Sequence, residues 1–307
     1  MAERIAAIDV GTNTVLLLVA ERAGDGFAPV VERAEITRLG RGVDAAGRLD
    51  PAAVRETVEV LAAFAGEARA LGASRILCVA TSAARDAANG REFFEAARER
   101  AGIVPEVIAG EEEARLVHLS AWRDFGGGGT LAVLDVGGGS TEFTLGDGPV
   151  PRLRRSLQVG AVRLTERHVR SDPVGGRDLA ALRDAAREAL RPIAGPSAPG
   201  GRLVAVAGTV TTLSAVKQAL PAYDAARVHG SALAADDLEA LLARLARLPL
   251  RERASLPGME PKRADVIVAG CAIVLEALRA TGFAALTVSD RGVRWGLLHD
   301  RAGRGAG

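Results

Sequence analysis

The sequence predicts an α/β protein built from two related halves, and three observations carry that prediction. The stretches "AIDVGTNTVLLLVAE" (7–21) and "LAVLDVGGGSTEFTLG" (131–146) are two versions of one device. In each, a buried apolar run ends in Asp-Val-Gly, a small polar loop follows, and a second apolar run begins. Four consecutive glycines at 126–129 separate the two versions, as a domain boundary does. Around both, short Val/Ile/Leu-rich runs alternate with helically spaced ones, the order expected of sheets covered by helices.

Taken along the chain, strands are expected at 4–10, 14–22 and 28–37, bounded by Gly or Asp. "LDPAAVRETVEVLAAFAGEARALGA" is a helix with Asp50 as N-cap, Pro51 at its first position and Gly72 closing it. "RILCVATSA" is then a strand, "GREFFEAARERAG" a helix, "VPEVIAG" a strand, and "EEEARLVHLSAW" a helix with three carboxylates in its first turn. In the second half a third glycine turn, Gly208-Thr209 of "LVAVAGTVTTLSAV", follows a strand at 203–207 and opens a helix. The Pro/Gly-rich "RPIAGPSAPGGR" (191–202) is expected to be an exposed connection. The expected domains are 1–125 and 126–307, with the last helix packing back on the first.

Composition sets the class. Of 307 residues, 48% are hydrophobic and 25% charged, enough to bury a sizeable core. A net charge of +1 offers no global field for nucleic acid or membrane, so any basic site is local. The longest apolar stretch, "ADVIVAGCAIVLEAL", is too short to span a bilayer and contains charges. Cys78 and Cys271 have no Cys or His neighbour at metal-binding spacing and read as buried thiols of a reducing compartment. With no signal-peptide pattern at the N-terminus, a cytoplasmic enzyme is expected.

The two loops suggest chemistry. A hairpin needs only two turn residues; Gly11, Thr12, Asn13 and Thr14, and Gly137, Gly138, Gly139, Ser140 and Thr141, are more than that. Glycines let successive N–H groups point into one concavity that accepts an anion, and the hydroxyls add donors for phosphate oxygens. Asp9 and Asp135 end the preceding strands, and a carboxylate tolerates a phosphate only with a divalent cation present. Mg²⁺, or Mn²⁺ in its place, takes one or two carboxylates plus phosphate and water. The plainer alternative is a pair of ordinary hairpins, with Asp135 capping its turn through an Asx bond.

With Gly208-Thr209 as a third loop, the pattern resembles the superfamily of sugar kinases, Hsp70 and actin. Within it, "DVGTNTVLLLVAE", "ATSAARDAANG", "AGEEEARL", "LDVGGGSTEF", "SLQVGAVRLTE" and "VSDRGVRWGLL", in that order over almost the whole chain, resemble the exopolyphosphatase / guanosine pentaphosphate phosphatase family. The resemblance implies two ribonuclease H-like domains facing across a cleft, Mg²⁺ dependence, and hydrolysis of a terminal phosphoanhydride. It makes Glu113, just before the Ala-Arg-Leu of "GEEEARL", the base for the attacking water. It assigns Asp135 and Glu142 to metal and water positioning, puts Asp9 at the head of the first phosphate loop, and places Arg85 of "TSAARDA" near the phosphates. Plainer readings stand beside these. Glu111 and Glu112 answer the helix dipole, whereas Glu113 shares a helix face with Val117 and Ala121 and is expected to point inward. Arg85 could equally be a surface charge paired with Asp86.

The expected substrate is inorganic polyphosphate, with pppGpp as the alternative, and the expected assembly is a homodimer. "PRLRRSLQVGAVRLTERHVR" (151–170) sets six arginines against the single acid Glu166, a charge run that would suit a polyanion lying along it. The chain ends soon after "GVRWGLLHD", without the family's additional C-terminal helical domain, so short chains are expected to be favoured. Two other classes remain: a small-molecule kinase with an adenosine pocket around "AGTVTTLSA", and a non-catalytic phosphate or nucleotide sensor, which would have no use for Glu113.

Overall fold

The computed structural model describes residues 2–195 and 200–302, so residues 196–199 of the connection expected at 191–202 lie outside the described residues. The chain forms two compact units, one comprising the chain up to Ser120 and the segment from Val293, the other Ala121–Gly292.

In the first unit, β1 (Arg4–Val10), β2 (Thr14–Ala23), β3 (Gly26–Ile36), β4 (Ala73–Ala80) and β5 (Glu106–Val107) form one sheet in the order β3-β2-β1-β4-β5. β1 pairs antiparallel with β2 and parallel with β4. Ile5 to Ile8 of β1 are wholly buried, as a central strand covered on both faces must be. The helix Pro51–Ala70 begins where Asp50 accepts from the amides of Ala52 and Ala53 at 2.8 and 3.0 Å. It packs with the helix Gly90–Ala101 on one face of the sheet, burying Leu61, Phe64 and Phe93 against Ile8, Val10 and Leu17. The strand expected across "VPEVIAG" shrinks to two residues, and the end of "RILCVATSA" turns helical at Ser82–Asp86. Arg294, in the short helix Val293–Leu297, fastens that segment to the same sheet by donating from Nη1 to Leu17 O at 2.7 Å.

The second unit repeats the plan. β6 (Leu131–Val136), β7 (Thr141–Gly146), β8 (Leu153–Leu157), β9 (Arg202–Val206), β10 (Ala232–Ala234) and β11 (Ala285–Val288) form a sheet ordered β10-β11-β9-β6-β7-β8. β6 pairs antiparallel with β7 and parallel with β9, so β6, β7, β8, β9 and β11 stand where β1, β2, β3, β4 and β5 stand in the first sheet. β10 is an added antiparallel edge. The apolar helix Ile267–Thr281 is buried along nearly its whole length within this unit's core. Two ribonuclease H-like sheets of one topology in one chain are the fold of the actin, Hsp70 and sugar kinase superfamily. No helix among the described residues is long and apolar enough to cross a membrane. Cys271 is buried, but Cys78 is only half-buried.

Candidate active site

The two Asp-Val-Gly turns close in the same way. Gly11 N donates to Thr14 O at 3.0 Å, and Gly137 N donates to Ser140 O at 3.1 Å. In each unit the segment after the third strand then takes up the loop's carbonyls. In the first, Gly40 N donates to Thr12 O at 2.8 Å, and the amides of Thr37 and Arg38 donate to Asn13 O at 3.2 and 3.1 Å. In the second, Ala161 N donates to Gly137 O at 2.9 Å, and the amides of Val162 and Arg163 donate to Gly138 O at 2.9 and 3.2 Å. That approach needs Gly160, where a Cβ would fall 2.4 Å from Gly138 O. The amides of Thr12, Asn13, Gly138, Gly139 and Ser140 have no backbone acceptor among the described residues. Clustered N–H groups without acceptors form an anion-binding concavity. Asn13 adds a buried side-chain donor, Nδ2, that also has no partner.

Hydroxyls divide into two sets. Thr141 Oγ1 donates to Val159 O at 2.6 Å and Thr209 Oγ1 to Val136 O at 3.1 Å. Each hydroxyl has one proton, so these two serve the architecture of the second loop as it stands. Thr12, Thr14 and Ser140 are buried at the loops themselves.

Three carboxylates lie at the turns. Asp9 is 8% exposed, and its Oδ1 is buried with no hydrogen-bond partner. Burial pushes its carboxyl up to about 6, against a partial offset from the Arg294 guanidinium. Asp135 stands directly opposite Glu142 in the β6–β7 register, and both are buried. Like charges directly opposite on a sheet repel, so this pair favours a cation beside it. Ser156 donates to Glu142 Oε1 at 2.7 Å. Among the described residues no three His, Cys, Asp or Glu side chains gather as a metal cage. That is compatible with Mg²⁺, which keeps most of its shell for water and phosphate. The oxygen donors of Asp135 and Glu142 fit such an ion, and Asp9 offers the same donor type at the corresponding turn of the first unit.

Arg85 and Glu113 meet at the same end of the first sheet. Val10 of β1 is level with Ala80 of β4, and Ala80 O accepts from Ile108 N at 3.1 Å. The first loop, the turn bearing Arg85 and the helix Gly110–Phe125 bearing Glu113 therefore all follow the carboxyl ends of neighbouring parallel strands, where open α/β sheets bind ligands. Arg85 Nη1 lies 3.4 Å from Glu113 Oε2 and donates to Ile108 O at 2.9 Å, while Nη2 is buried without a partner. Asp86 is farther from Arg85, at 3.9 Å. Glu113 is buried on one face with Val117 and Ala121, Glu111 is exposed, and Glu112 forks onto Arg115 at 2.8 Å.

In the second unit, three residues that the motifs do not single out lie at its loops. Arg163 donates from Nε to Gly139 O at 2.8 Å. Ser156 supports Glu142. The Arg263 guanidinium lies against the third loop, so that a Cβ at Gly208 would fall 2.0 Å from its Nη1. The preceding residue, Ala207, takes the left-handed φ of 74°, rare outside glycine, which marks this turn as constrained. Ser156 and Arg163 lie within the arginine-rich run 151–170, but their partners lie 14 and 24 residues away, a distance no local pattern spans.

The chain is similar to known proteins over nearly its whole length. Residues 18–304 match the model of the Ppx/GppA phosphatase family. Exopolyphosphatase 2 of Mycobacterium tuberculosis is 40% identical, with 98% of this chain and 99% of that protein aligned. The crystal structure of the Aquifex aeolicus Ppx/GppA family member superposes with a TM-score of 0.83 at 33% identity, covering 98% of both chains. An exopolyphosphatase structure from Cytophaga hutchinsonii superposes with a TM-score of 0.87 at 25% identity over 97% of both.

Proposed function

Because the chain belongs to the Ppx/GppA phosphatase family, hydrolases of phosphoanhydrides, we propose that it removes the terminal phosphate of inorganic polyphosphate as orthophosphate, in a Mg²⁺-dependent reaction that favours short chains. The observation that supports this reading is a set of donors waiting for an anion. The amides of Thr12 and Asn13 in one loop and of Gly138, Gly139 and Ser140 in the other have no backbone acceptor among the described residues, and Asn13 Nδ2 and the buried Arg85 Nη2 have no partner there. A buried unsatisfied donor costs about 1–3 kcal/mol, and a phosphate oxygen recovers it.

Phosphoryl transfer asks little covalent chemistry of the protein; it asks for positioning and neutralisation of charge. The loop amides and Asn13 bind the equatorial oxygens, and Arg85 adds a fixed cation with a planar fork. Glu113 accepts the proton of the attacking water for in-line displacement. Arg85 next to it keeps its carboxylate from being isolated in a buried setting. Asp9, Asp135 and Glu142 are the residues that would hold Mg²⁺, which supplies charge neutralisation at the phosphate oxygens. No covalent intermediate is required. pppGpp, whose 5′ end presents the same terminal anhydride, is the second substrate this chemistry admits. A homodimer in the cytoplasm belongs to the same reading.

One assay tests the proposal. Phosphate release is measured from short polyphosphate, long polyphosphate and pppGpp, each with and without Mg²⁺. The expected result is Mg²⁺-dependent release, fastest from short polyphosphate. Faster release from pppGpp would make the nucleotide the substrate, and release unaffected by chelation would remove the metal.

A further inference from the structure

We infer that Arg163 is a positioning residue for the second phosphate loop, aiming three consecutive amides into the anion site. The peptide group is planar and trans, so its C=O and the following N–H point in opposite directions. Fixing a carbonyl therefore aims the next amide. Gly137 O is held by Ala161 N, Gly138 O by the amides of Val162 and Arg163, and Gly139 O by the Arg163 side chain. Those three anchors turn the amides of Gly138, Gly139 and Ser140 away from the helix Ala161–His168, and these are the amides of this loop without an acceptor.

Two of the three anchors are backbone groups that any sequence supplies. The third is a side chain. Arg163 contributes twice, with its own N–H at Gly138 O and its Nε at Gly139 O, and its Nη2 reaches Gln158 Oε1 at 3.1 Å. A lysine keeps the charge but has no Nε–H fork able to hold Gly139 O and Gln158 together. Without that grip no hydrogen bond from the other described residues holds the Gly139 carbonyl, and the Ser140 amide loses its fixed direction.

This inference rests on the proposed phosphate chemistry of the loop, and its test separates the two. Backbone amide resonances of Gly138, Gly139 and Ser140 are followed while inorganic phosphate or tripolyphosphate is added to the wild-type protein, Arg163→Lys and Arg163→Met. Phosphate release from tripolyphosphate and thermal melting are measured on the same samples. The expected result is that all three amides shift in the wild type, and that apparent affinity falls roughly 10–100-fold in both variants, the worth of one charge-assisted hydrogen bond. The loss should appear in KM as well as kcat, with melting little changed. Full activity and binding in Arg163→Lys would overturn the inference, because charge alone would then suffice. Wild-type amides indifferent to both anions would overturn it too. Amides that respond in a protein releasing no phosphate would leave the aiming role standing and sink the proposed hydrolysis instead.

Discussion

Arg85 Nη1 stands 3.4 Å from Glu113 Oε2 and, in the same guanidinium, 2.9 Å from Ile108 O. One nitrogen thus ties Glu113, the proposed base, to the backbone at the end of the first sheet, and Nη2 is buried without a partner. Glu113→Gln preserves the shape and removes the proton acceptor. Turnover should fall roughly 10²–10⁴-fold, the usual share of a general base, with substrate affinity and melting close to wild type. A rate within a few-fold of wild type would move the role to Glu142.

Asp9 makes stability depend on pH in the metal-free protein. Its carboxyl rises from 3.8 to about 6 on folding because burial disfavours the charged form. The folded state therefore binds the proton more tightly than the unfolded state, and stability falls as pH rises from about 4 through about 6, by about 3 kcal/mol at most. Asp9→Asn should flatten that part of the profile. Mg²⁺ added at neutral pH should raise the melting temperature of the wild type and leave Asp9→Asn unmoved. A wild type equally indifferent to Mg²⁺ would take Asp9 out of the metal site.

Asp135 faces Glu142 across two strands, and Asp135→Asn removes one charge of the pair. If the pair binds the metal, half-maximal rate should require far more Mg²⁺. A lower rate with an unchanged Mg²⁺ titration would place Asp135 on the water or in the turn.

In β8, Arg154 and Arg155 alternate in face, and Arg152 directly precedes the strand. Arg154 is level with Thr144, Arg155 with the core residue Phe143, and Arg152 pairs with Asp147. The Arg154 side is therefore also the side of Ser156 and Glu142. Replacing Arg152 and Arg154 by Ala should weaken binding of long polyphosphate and barely touch a triphosphate. The difference should shrink with added salt, as screening sets in over about 8 Å at physiological ionic strength. Equal effects on short and long chains would reduce the run to a solvated face.

What the sequence determined by itself was local. The Asp-Val-Gly turns showed because a buried strand, a glycine and small polar residues are neighbours in the chain. The inward aim of Glu113 showed because Val117 and Ala121 follow it at helical spacing, and the Pro51 helix showed its cap in Asp50. Tertiary structure decided what those pieces meet. Arg85 finds Glu113 28 residues away, Arg163 finds Gly139 24 residues away, and Arg263 lies against Gly208. Each of these contacts is made by a flexible side chain reaching a backbone or charge brought near by sheet pairing, so no periodicity in the chain announces it. Strand β5 shows the same limit from the other side. "VPEVIAG" has the composition of a longer strand, yet only Glu106 and Val107 pair, both with β4, because pairing depends on the length its neighbour offers as well as on its own residues.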